Sequence, residues 1–249
     1  MIALRDAIFV CMDVETTGLD AAKDHVIEVA VARFTLEGIL ESWDSLVNPG
    51  CPIAEASIAI HHITDEMVLK APSIGSLVPR ILALLGSDII IGHGIAFDVE
   101  MVRRAADREK IPHTLDKNRQ VDTLRLARLY GESPTNSLEM LRQHFNIPLE
   151  GAHRALADVT VNVAVFKYLI CRFKTVEEMF ETLAKPIEMR TMPLGKYKGR
   201  LFRDIPLDYL QWSSHMDFDE DLLYSIRSEI KRRKKGGLFS QASNPFGGL

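Results

Sequence analysis

The chain has 249 residues, of which 47% are hydrophobic and 26% are charged, and this balance predicts a folded protein and excludes a wholly disordered one. Its net charge of −4 excludes a uniformly basic protein that wraps nucleic acid. The charge is uneven, because residues 190–235 carry 11 Lys and Arg against 7 Asp and Glu. We therefore expect an acidic body with a basic C-terminal part.

The cysteines and the apolar stretches indicate the compartment. Cys11, Cys51 and Cys171 are far apart and odd in number, which argues against a disulfide framework and a zinc site of paired cysteines. Charged residues precede the first apolar run, so no secretory leader is expected. The most apolar stretch, 77–97, is interrupted by charges, so no membrane span is expected either. The prediction is a cytoplasmic protein.

The first part of the chain has the pattern of strands. Residues 7–12 form a continuous apolar run, typical of a strand buried on both faces. Residues 26–35 and 39–47 are two more runs rich in β-forming residues, and the turn 36–38 separates them. A three-stranded meander is predicted.

Helices and strands alternate beyond residue 72. The predicted helices cover 73–85, 97–109, 123–130, 138–145 and 155–170, with one more opening at the capping box 175–178, and the predicted strands cover 88–92 and 119–123. Ser73 and Ser137 are the predicted caps of the first and fourth of these helices. Strands followed by alternating helices and strands predict an α/β fold with a mixed sheet flanked by helices.

The C-terminal part is predicted to be separate. We expect a main domain over 1–184, a linker over 185–192, a small basic α+β domain over 193–235 and a disordered tail over 236–249. Within the small domain, 194–205 has the pattern of a hairpin that turns at Lys198-Gly199. Helices are predicted to follow at 206–212 and 217–235.

Two carboxylates close the first predicted strand. Asp13 and Glu15 are two residues apart, so their side chains point to the same side of the strand. Adjacent carboxylates repel each other unless a cation lies between them, and oxygen ligands favour Mg²⁺ or Mn²⁺. A strand that runs out into solvent would explain the pair alone as well.

Two more acids follow loops that contain glycine. Asp98 comes after Gly92-His93-Gly94, and Asp158 lies near the start of the long helix that follows Gly151-Ala152-His153. Asp98 alone is explained by the favourable interaction of a carboxylate with a helix N-terminus. His153 alone is explained equally well as a solvated or core histidine.

Together these residues form an ordered set. Asp13, Glu15, Asp98, His153 and Asp158 resemble the active-site residues of the DEDDh family of 3′–5′ exonucleases, and most closely those of the proofreading (epsilon) subunits of bacterial DNA polymerase III. The surrounding motifs match as well: Thr16-Thr17-Gly18, Ile60-His61-His62-Ile63-Thr64 and Val121-Asp122-Thr123-Leu124. The resemblance covers 7–172 and implies the ribonuclease-H-like fold, a mixed five-stranded sheet with flanking helices. Two departures are Gly94, where the family usually has Asn, and His62, where it often has Gly.

The resemblance implies an enzyme, a metal-dependent 3′–5′ exonuclease that releases nucleoside monophosphates from DNA 3′ ends in proofreading or repair. Two Mg²⁺ or Mn²⁺ ions would be held by the four acids, and His153 would take a proton from water. The residues implied to contact the 3′-terminal nucleotides are Thr16, Leu19, His61 and Phe97. Asp122 is expected to anchor its loop rather than to bind metal.

Two other functions stay open at this point. The same site serves RNA trimming within the family, and nothing in the sequence indicates recognition of a 2′-hydroxyl. The chain could also be a non-catalytic scaffold that binds DNA or replication proteins, including a DNA polymerase. An intact set of five site residues argues against the scaffold, because an unused cluster of acids is electrostatically costly.

The C-terminal part carries two further resemblances. Residues 192–199, with Tyr209 and Trp212, resemble a family of small bacterial proteins named as quorum-sensing-regulated virulence factors. Basic residues alternate there with aromatic ones, which suits contact with a nucleic-acid single strand or a solvated basic face. Gln241 to Phe246 resembles the short peptide by which bacterial polymerase and repair proteins dock on the sliding clamp, and a chance match in a disordered tail would explain it as well.

Overall fold

Five strands form one mixed sheet. The structure is a computed structural model, and it describes residues 2–130, 135–148 and 154–242, with the backbone alone for 236–242. The strands are β1 (Phe9–Thr16), β2 (Val26–Phe34), β3 (Ile39–Leu46), β4 (Ile89–Gly92) and β5 (Gln120–Asp122). Their order across the sheet is β3-β2-β1-β4-β5. β1, β2 and β3 are mutually antiparallel, whereas β4 runs parallel to both β1 and β5. The predicted mixed five-stranded sheet is confirmed.

Helices flank this sheet. The described helices are α1 (Glu55–His61), α2 (Asp65–Val68), α3 (Ile74–Leu85), α4 (Ala96–Arg108), α5 (Thr123–Tyr130), α6 (Leu138–His144), α7 (Ala155–Ile170), α8 (Val176–Leu183), α9 (Leu207–Ser213) and α10 (Glu220–Ala242). The predicted helices over the sheet agree with these bounds to within one residue. The sequence does not indicate α1, because only His61 of its seven residues is buried and no apolar stripe marks the helix.

The long helix α7 is fixed to the middle of the sheet. It packs against β1 and β2. The ring of Phe166 in α7 lies 5.0 Å from that of Phe9 and 5.8 Å from that of Phe34, and both contacts are edge-on. Such aromatic pairs contribute about 0.5–1.5 kcal/mol beyond the area that they bury. The N-terminal turn of α7 is therefore held at a defined place beside the C-terminal end of β1.

One of the two predicted serine caps is present. The hydroxyl of Ser137 accepts a hydrogen bond from the Met140 N–H at 3.4 Å and caps α6. Ser73 precedes α3 but its side chain makes no cap bond. Instead, the hydroxyl of Ser76 donates to the Ser73 carbonyl at 2.7 Å.

The chain divides into two compact units. The first comprises Met1–Leu126 and Ser137–Phe180 and contains the sheet, and the second comprises Ala127–Asn136 and Glu181–Leu249. The segment 185–192, expected as a linker, packs within the second unit. Ile187 is 5% exposed, and its N–H donates to Asp221 Oδ1 at 3.0 Å. An apolar side chain and a satisfied backbone donor hold this segment in place.

The described residues of the second unit are helical rather than α+β. Residues 194–205, predicted as a hairpin, form two 3₁₀ turns, Gly195–Tyr197 and Phe202–Asp204, and a single antiparallel bridge. Gly195 and Gly199 have φ of 72° and 82°, and these two left-handed residues turn the chain twice before a run long enough to pair can form. No strand occurs among the described residues of this unit.

The last helix is longer than predicted. α10 extends to Ala242, so 236–242 are helical instead of disordered, and 243–249 lie outside the described residues. Propagating a helix adds one hydrogen bond for each residue fixed, and a glycine costs only about 1 kcal/mol relative to alanine. None of the described helices is both long and apolar enough to cross a membrane.

Candidate active site

Asp13 and Glu15 lie on one face of β1 near its C-terminal end. Val14 between them is 7% exposed and points to the opposite, core-facing side, as the alternation of a strand requires. The last residue of β1 that pairs with β4 is Cys11. Both carboxylates are therefore placed where β1 has passed beyond one of its neighbours and a cavity can open.

Glu28 of β2 ties the start of α7 to the sheet, and α7 carries Asp158 in its first turn. Glu28 is 1% exposed, and its Oε2 accepts the Ala155 N–H at 3.0 Å. Its Oε1 accepts from Arg154 Nη2 at 2.6 Å and from Nε at 2.9 Å. Glu28 pairs with Glu15 in the register of β1 and β2, so this clamp holds the helix that bears Asp158 beside the strand that bears Asp13 and Glu15.

Three of the four predicted acids form a compact cluster. One carboxylate oxygen from each of Asp13, Glu15 and Asp158 lies within 4.8 Å of the others, and all three residues are half-buried. Asp98, near the start of α4, lines the same cavity but is not part of this cluster. It is 6% exposed, and its Oδ1 accepts the Val14 N–H at 3.0 Å. Convergent oxygens with no nitrogen or sulfur among them fit a divalent metal ion.

The cluster concentrates negative charge. Burial raises the pKa of Asp13 well above its usual value, and the nearby carboxylates of Asp98, Asp158 and Glu15 raise it further. Burial also raises the pKa of Glu15 to about 7, with the charges of Asp158 and Glu28 acting in the same direction. Burial raises the pKa of Asp98 to about 7. A cation bound among these groups would relieve the repulsion that the shifts record.

The acids face a cavity of about 550 Å³ whose other walls are apolar and polar. Phe97, predicted to contact a nucleotide, lines it, as do Leu138, Glu139 and Arg142 of α6. Two hydrogen bonds of 2.8 Å from the Arg142 guanidinium to Glu139, and one of 3.0 Å to the Ile147 carbonyl, hold that side chain. The sequence predicts α6 but gives no signal for the face that it turns to the cavity, so its residues were missed as lining residues.

The other residues predicted to contact the substrate differ in exposure. Leu19 is 88% exposed and available for contact. His61 is only 2% exposed, its Nδ1 accepts the Ile63 N–H at 3.0 Å, and burial lowers its pKa. The hydroxyl of Thr16 donates to the Gly18 carbonyl at 2.6 Å. The side chains of His61 and Thr16 thus make local contacts, and the expectation that these two residues contact the substrate stays a prediction.

Asp122 anchors the loop after β4, as expected. Its Oδ1 accepts the N–H of Gly94 at 2.9 Å and that of Leu124 at 2.8 Å. Gly94 has a φ of 78°, in the range that Gly and Asn adopt most readily, so its departure from the family's Asn keeps the backbone conformation. His62, the other departure, has a φ of 60° at the end of α1, a position where glycine is favoured.

His153 lies outside the described residues, so its role stays a prediction from the sequence. The next residue, Arg154, is described and is held by Glu28. The chain thus enters α7 from a fixed point beside the cluster.

Comparisons with known proteins agree with this geometry. The exonuclease family model matches residues 10–166, and residues 180–232 match the family described as "Putative quorum-sensing-regulated virulence factor". DNA polymerase III PolC-type of Listeria innocua is 35% identical over 181 residues, which are 72% of this chain and 12% of that protein. The Bacillus subtilis protein of the same name is 33% identical over 156 residues, 62% of this chain and 11% of its own length. The chain therefore spans a small part of these relatives.

Solved exonucleases share the fold. The structure of "Exonuclease X in complex with 5′ overhanging duplex DNA" matches with a TM-score of 0.56 and 25% identity, over 70% of this chain and 99% of that one. Exonuclease I of E. coli, solved with a dA16 oligonucleotide, matches with a TM-score of 0.61 and 22% identity, over 71% of this chain and 42% of that one. The predicted ribonuclease-H-like exonuclease fold is confirmed.

Proposed function

This chain belongs to the exonuclease family, and we propose that it is a metal-dependent 3′–5′ exonuclease that releases nucleoside monophosphates from DNA 3′ ends in proofreading or repair. The observation that carries the proposal is the convergence of Asp13, Glu15 and Asp158, with Asp98 in the same cavity. DNA is favoured as the substrate because the relatives are DNA polymerases and Exonuclease X was solved with duplex DNA.

The proposed cofactor is a pair of Mg²⁺ or Mn²⁺ ions held by Asp13, Glu15, Asp98 and Asp158. Bound there, the ions would activate the attacking water and stabilise the charge on the leaving 3′ oxygen. The Val14 N–H orients Asp98 towards its place in this set, and the Glu28 clamp on α7 does the same for Asp158. Because the carboxylates repel one another, metal binding should precede the binding of the anionic substrate.

His153 is the proposed acceptor of the proton from the attacking water. A histidine with an ordinary pKa of about 6.5 is largely neutral at physiological pH and can accept that proton. Phe97 and Leu19 would hold the bases of the strand end by apolar contact, which does not depend on base identity. This independence suits an enzyme that shortens any sequence.

The test uses 5′-labelled single-stranded DNA, mismatched duplex and RNA, with Mg²⁺ or with chelator. We expect stepwise shortening of DNA from the 3′ end with Mg²⁺ alone, and its loss in Asp13→Asn and Asp158→Asn. Glu37→Gln is the matched control, an exposed acid in the β2–β3 turn at the opposite end of the sheet. Normal turnover in Asp158→Asn or hydrolysis in chelator would overturn the site. Faster shortening of RNA would change the substrate, and binding without hydrolysis would favour the scaffold.

A DNA polymerase and the sliding clamp are the proposed protein partners, and both act in the bacterial cytoplasm, where we propose that this chain acts. The clamp would dock on Gln241 to Phe246, of which the first two residues lie in α10 and the rest outside the described residues. A peptide covering 240–249 should bind the clamp with a Kd on the order of µM, as expected when little area is buried. Phe246→Ala should remove that binding, and no binding by the unaltered peptide would refute the docking.

A further inference from the structure

Three aromatic rings of the second unit, those of Tyr197, Tyr209 and Trp212, lie in a row at its surface and are called here the aromatic patch. The ring centroids of Tyr197 and Tyr209 are 4.7 Å apart, and those of Tyr209 and Trp212 are 5.3 Å apart. Trp212 is 54% exposed. Tyr197 and Tyr209 are half-buried and pack against the core of this unit, which consists of Met192, Phe202, Ile205, Leu210, Leu222 and Ile226. About half of the Trp212 side chain is therefore exposed to water, and Trp212 is not among the residues that form this core or pack against it.

A glycine-bounded loop brings cations to the aromatic patch. Gly195 lies so close to Tyr209 that a Cβ atom on it would be 2.9 Å from the tyrosine hydroxyl oxygen, so the loop is seated directly on this ring. The Lys196 Nζ lies 5.5 Å from the centre of the Tyr197 ring, and the Arg200 guanidinium carbon lies 5.7 Å from it. Both distances are within the range of cation–π attraction.

These cations are not neutralised by neighbouring acids. Lys196, Lys198 and Arg200 are all exposed, and in the described part of the chain none of them forms an ion pair. Elsewhere in the same unit, Arg128 pairs with Asp219 at 2.8 Å. The loop thus offers three positive charges to an anion that comes from outside the protein.

We propose that the aromatic patch, with Lys196, Lys198 and Arg200, is a binding site for single-stranded nucleic acid. Exposed rings stack on bases without regard to sequence, and cations beside them contact the phosphates between those bases. A duplex hides its base faces, and an apolar protein surface has no need of three unpaired cations. The site lies wholly in the second unit and requires neither metal nor hydrolysis.

Binding is measured on the full chain in chelator, by fluorescence anisotropy of a labelled thymidine oligomer longer than the ~16 nucleotides of a single-strand site. Trp212→Ala should weaken binding by roughly 5- to 150-fold, the range for losing one base–aromatic stack. Trp212→Phe keeps a ring and should retain most of the affinity. Tyr224→Ala, an aromatic on α10 that is 43% exposed, is the matched control and should bind as the unaltered chain does.

Charge and stacking can be tested separately. Replacing both Lys196 and Lys198 by Ala should lower the slope of log affinity against log salt by about 1.4, since each phosphate contact on a single strand contributes about 0.7. Lys70→Ala, an exposed lysine of the first unit, should leave the slope unchanged. In a Trp43→Phe background Trp212 is the only tryptophan, and the oligomer should quench its fluorescence.

The outcomes also separate this proposal from the exonuclease assignment. Because chelator prevents hydrolysis, single-strand binding can succeed or fail whether or not the acid cluster is an active site. Equal affinity of Trp212→Ala and the unaltered chain, together with unquenched fluorescence, would overturn the proposal and indicate a protein partner for this face. Equal affinity for duplex and single strand would also overturn it.

Discussion

Replacing Asp98 by Asn should stabilise the metal-free protein at alkaline pH while it abolishes hydrolysis. Burial raises the pKa of Asp98 to about 7 from an ordinary value of 3.8. Each pKa unit corresponds to about 1.4 kcal/mol, so ionising this group costs the folded state at most about 4 kcal/mol. The neighbouring carboxylates share their protons with it, which lowers the expected gain to about 2–4 kcal/mol.

The gain depends on pH with a definite sign. The folded-state pKa lies above the unfolded one, so the carboxyl is protonated in both states below about pH 4 and costs nothing there. The cost grows between about pH 4 and 7 and is constant above 7, where both states are ionised. Asn carries no charge, and its amide oxygen can still accept the Val14 N–H that Asp98 accepts at 3.0 Å. The variant should therefore gain stability at pH 8 and almost none at pH 4.

Urea unfolding in chelator at both pH values measures this difference. The control Glu37→Gln, an exposed acid, should change the free energy of unfolding by less than about 0.5 kcal/mol at either pH. Mg²⁺ should raise the Tm of the unaltered protein more than that of the variant, because a ligand stabilises the state that binds it. An equal gain at both pH values, or a loss at pH 8 with an unchanged m-value, would refute the reasoning.

Three further predictions concern His153, Glu28 and His62. His153→Ala should lower kcat by roughly 10²–10⁴-fold while metal affinity is kept, and recovery of the rate at saturating Mg²⁺ would make His153 a ligand instead. Glu28→Gln breaks the ion pair with Arg154, so it should reduce the free energy of unfolding by about 2–3 kcal/mol. It should also raise the Mg²⁺ concentration needed for half-maximal rate. Unchanged values of both quantities would show that the contact between Glu28 and α7 is dispensable. His62→Gly should stabilise the fold by about 0.5–1 kcal/mol in thermal unfolding, since a residue with a φ of 60° favours glycine, and a lower Tm would mean that the imidazole contributes more than the strain costs.

Local signals account for what the sequence predicts well. The apolar run before Asp13 predicts a buried strand, and the two-residue spacing to Glu15 puts both carboxylates on one face, where the structure has them. The bounds of α7 follow from its continuous apolar composition, which predicts a buried helix. In each case the information lies within a few residues of chain.

Contacts between segments that are distant in the chain could not be predicted from the sequence. The Asp98 carboxylate finds the Val14 N–H across 84 positions, and Arg142 reaches the cavity wall on a helix whose period does not say which face is turned inward. In the second unit, the left-handed φ of Gly195 and Gly199 overrides a hairpin pattern. Glycine adopts positive and negative φ about equally readily, so its presence in the sequence does not predict which of the two occurs.

The contact of Glu28 with the start of α7 also joins distant segments, but the sequence does give a signal for it. Glu28 interrupts the strand Val-Ile-Glu-Val-Ala-Val, where the residues on either side are buried on both faces of the sheet. A carboxylate in that setting must be paired, because an unpaired buried charge costs several kcal/mol. The partner has to be a cation or a set of N–H groups brought by another element, and a helix N-terminus preceded by arginine supplies both, as Arg154 and Ala155 do. A lone acid inside an apolar strand thus indicates where another element packs against that strand. Here that element is α7, which carries Asp158.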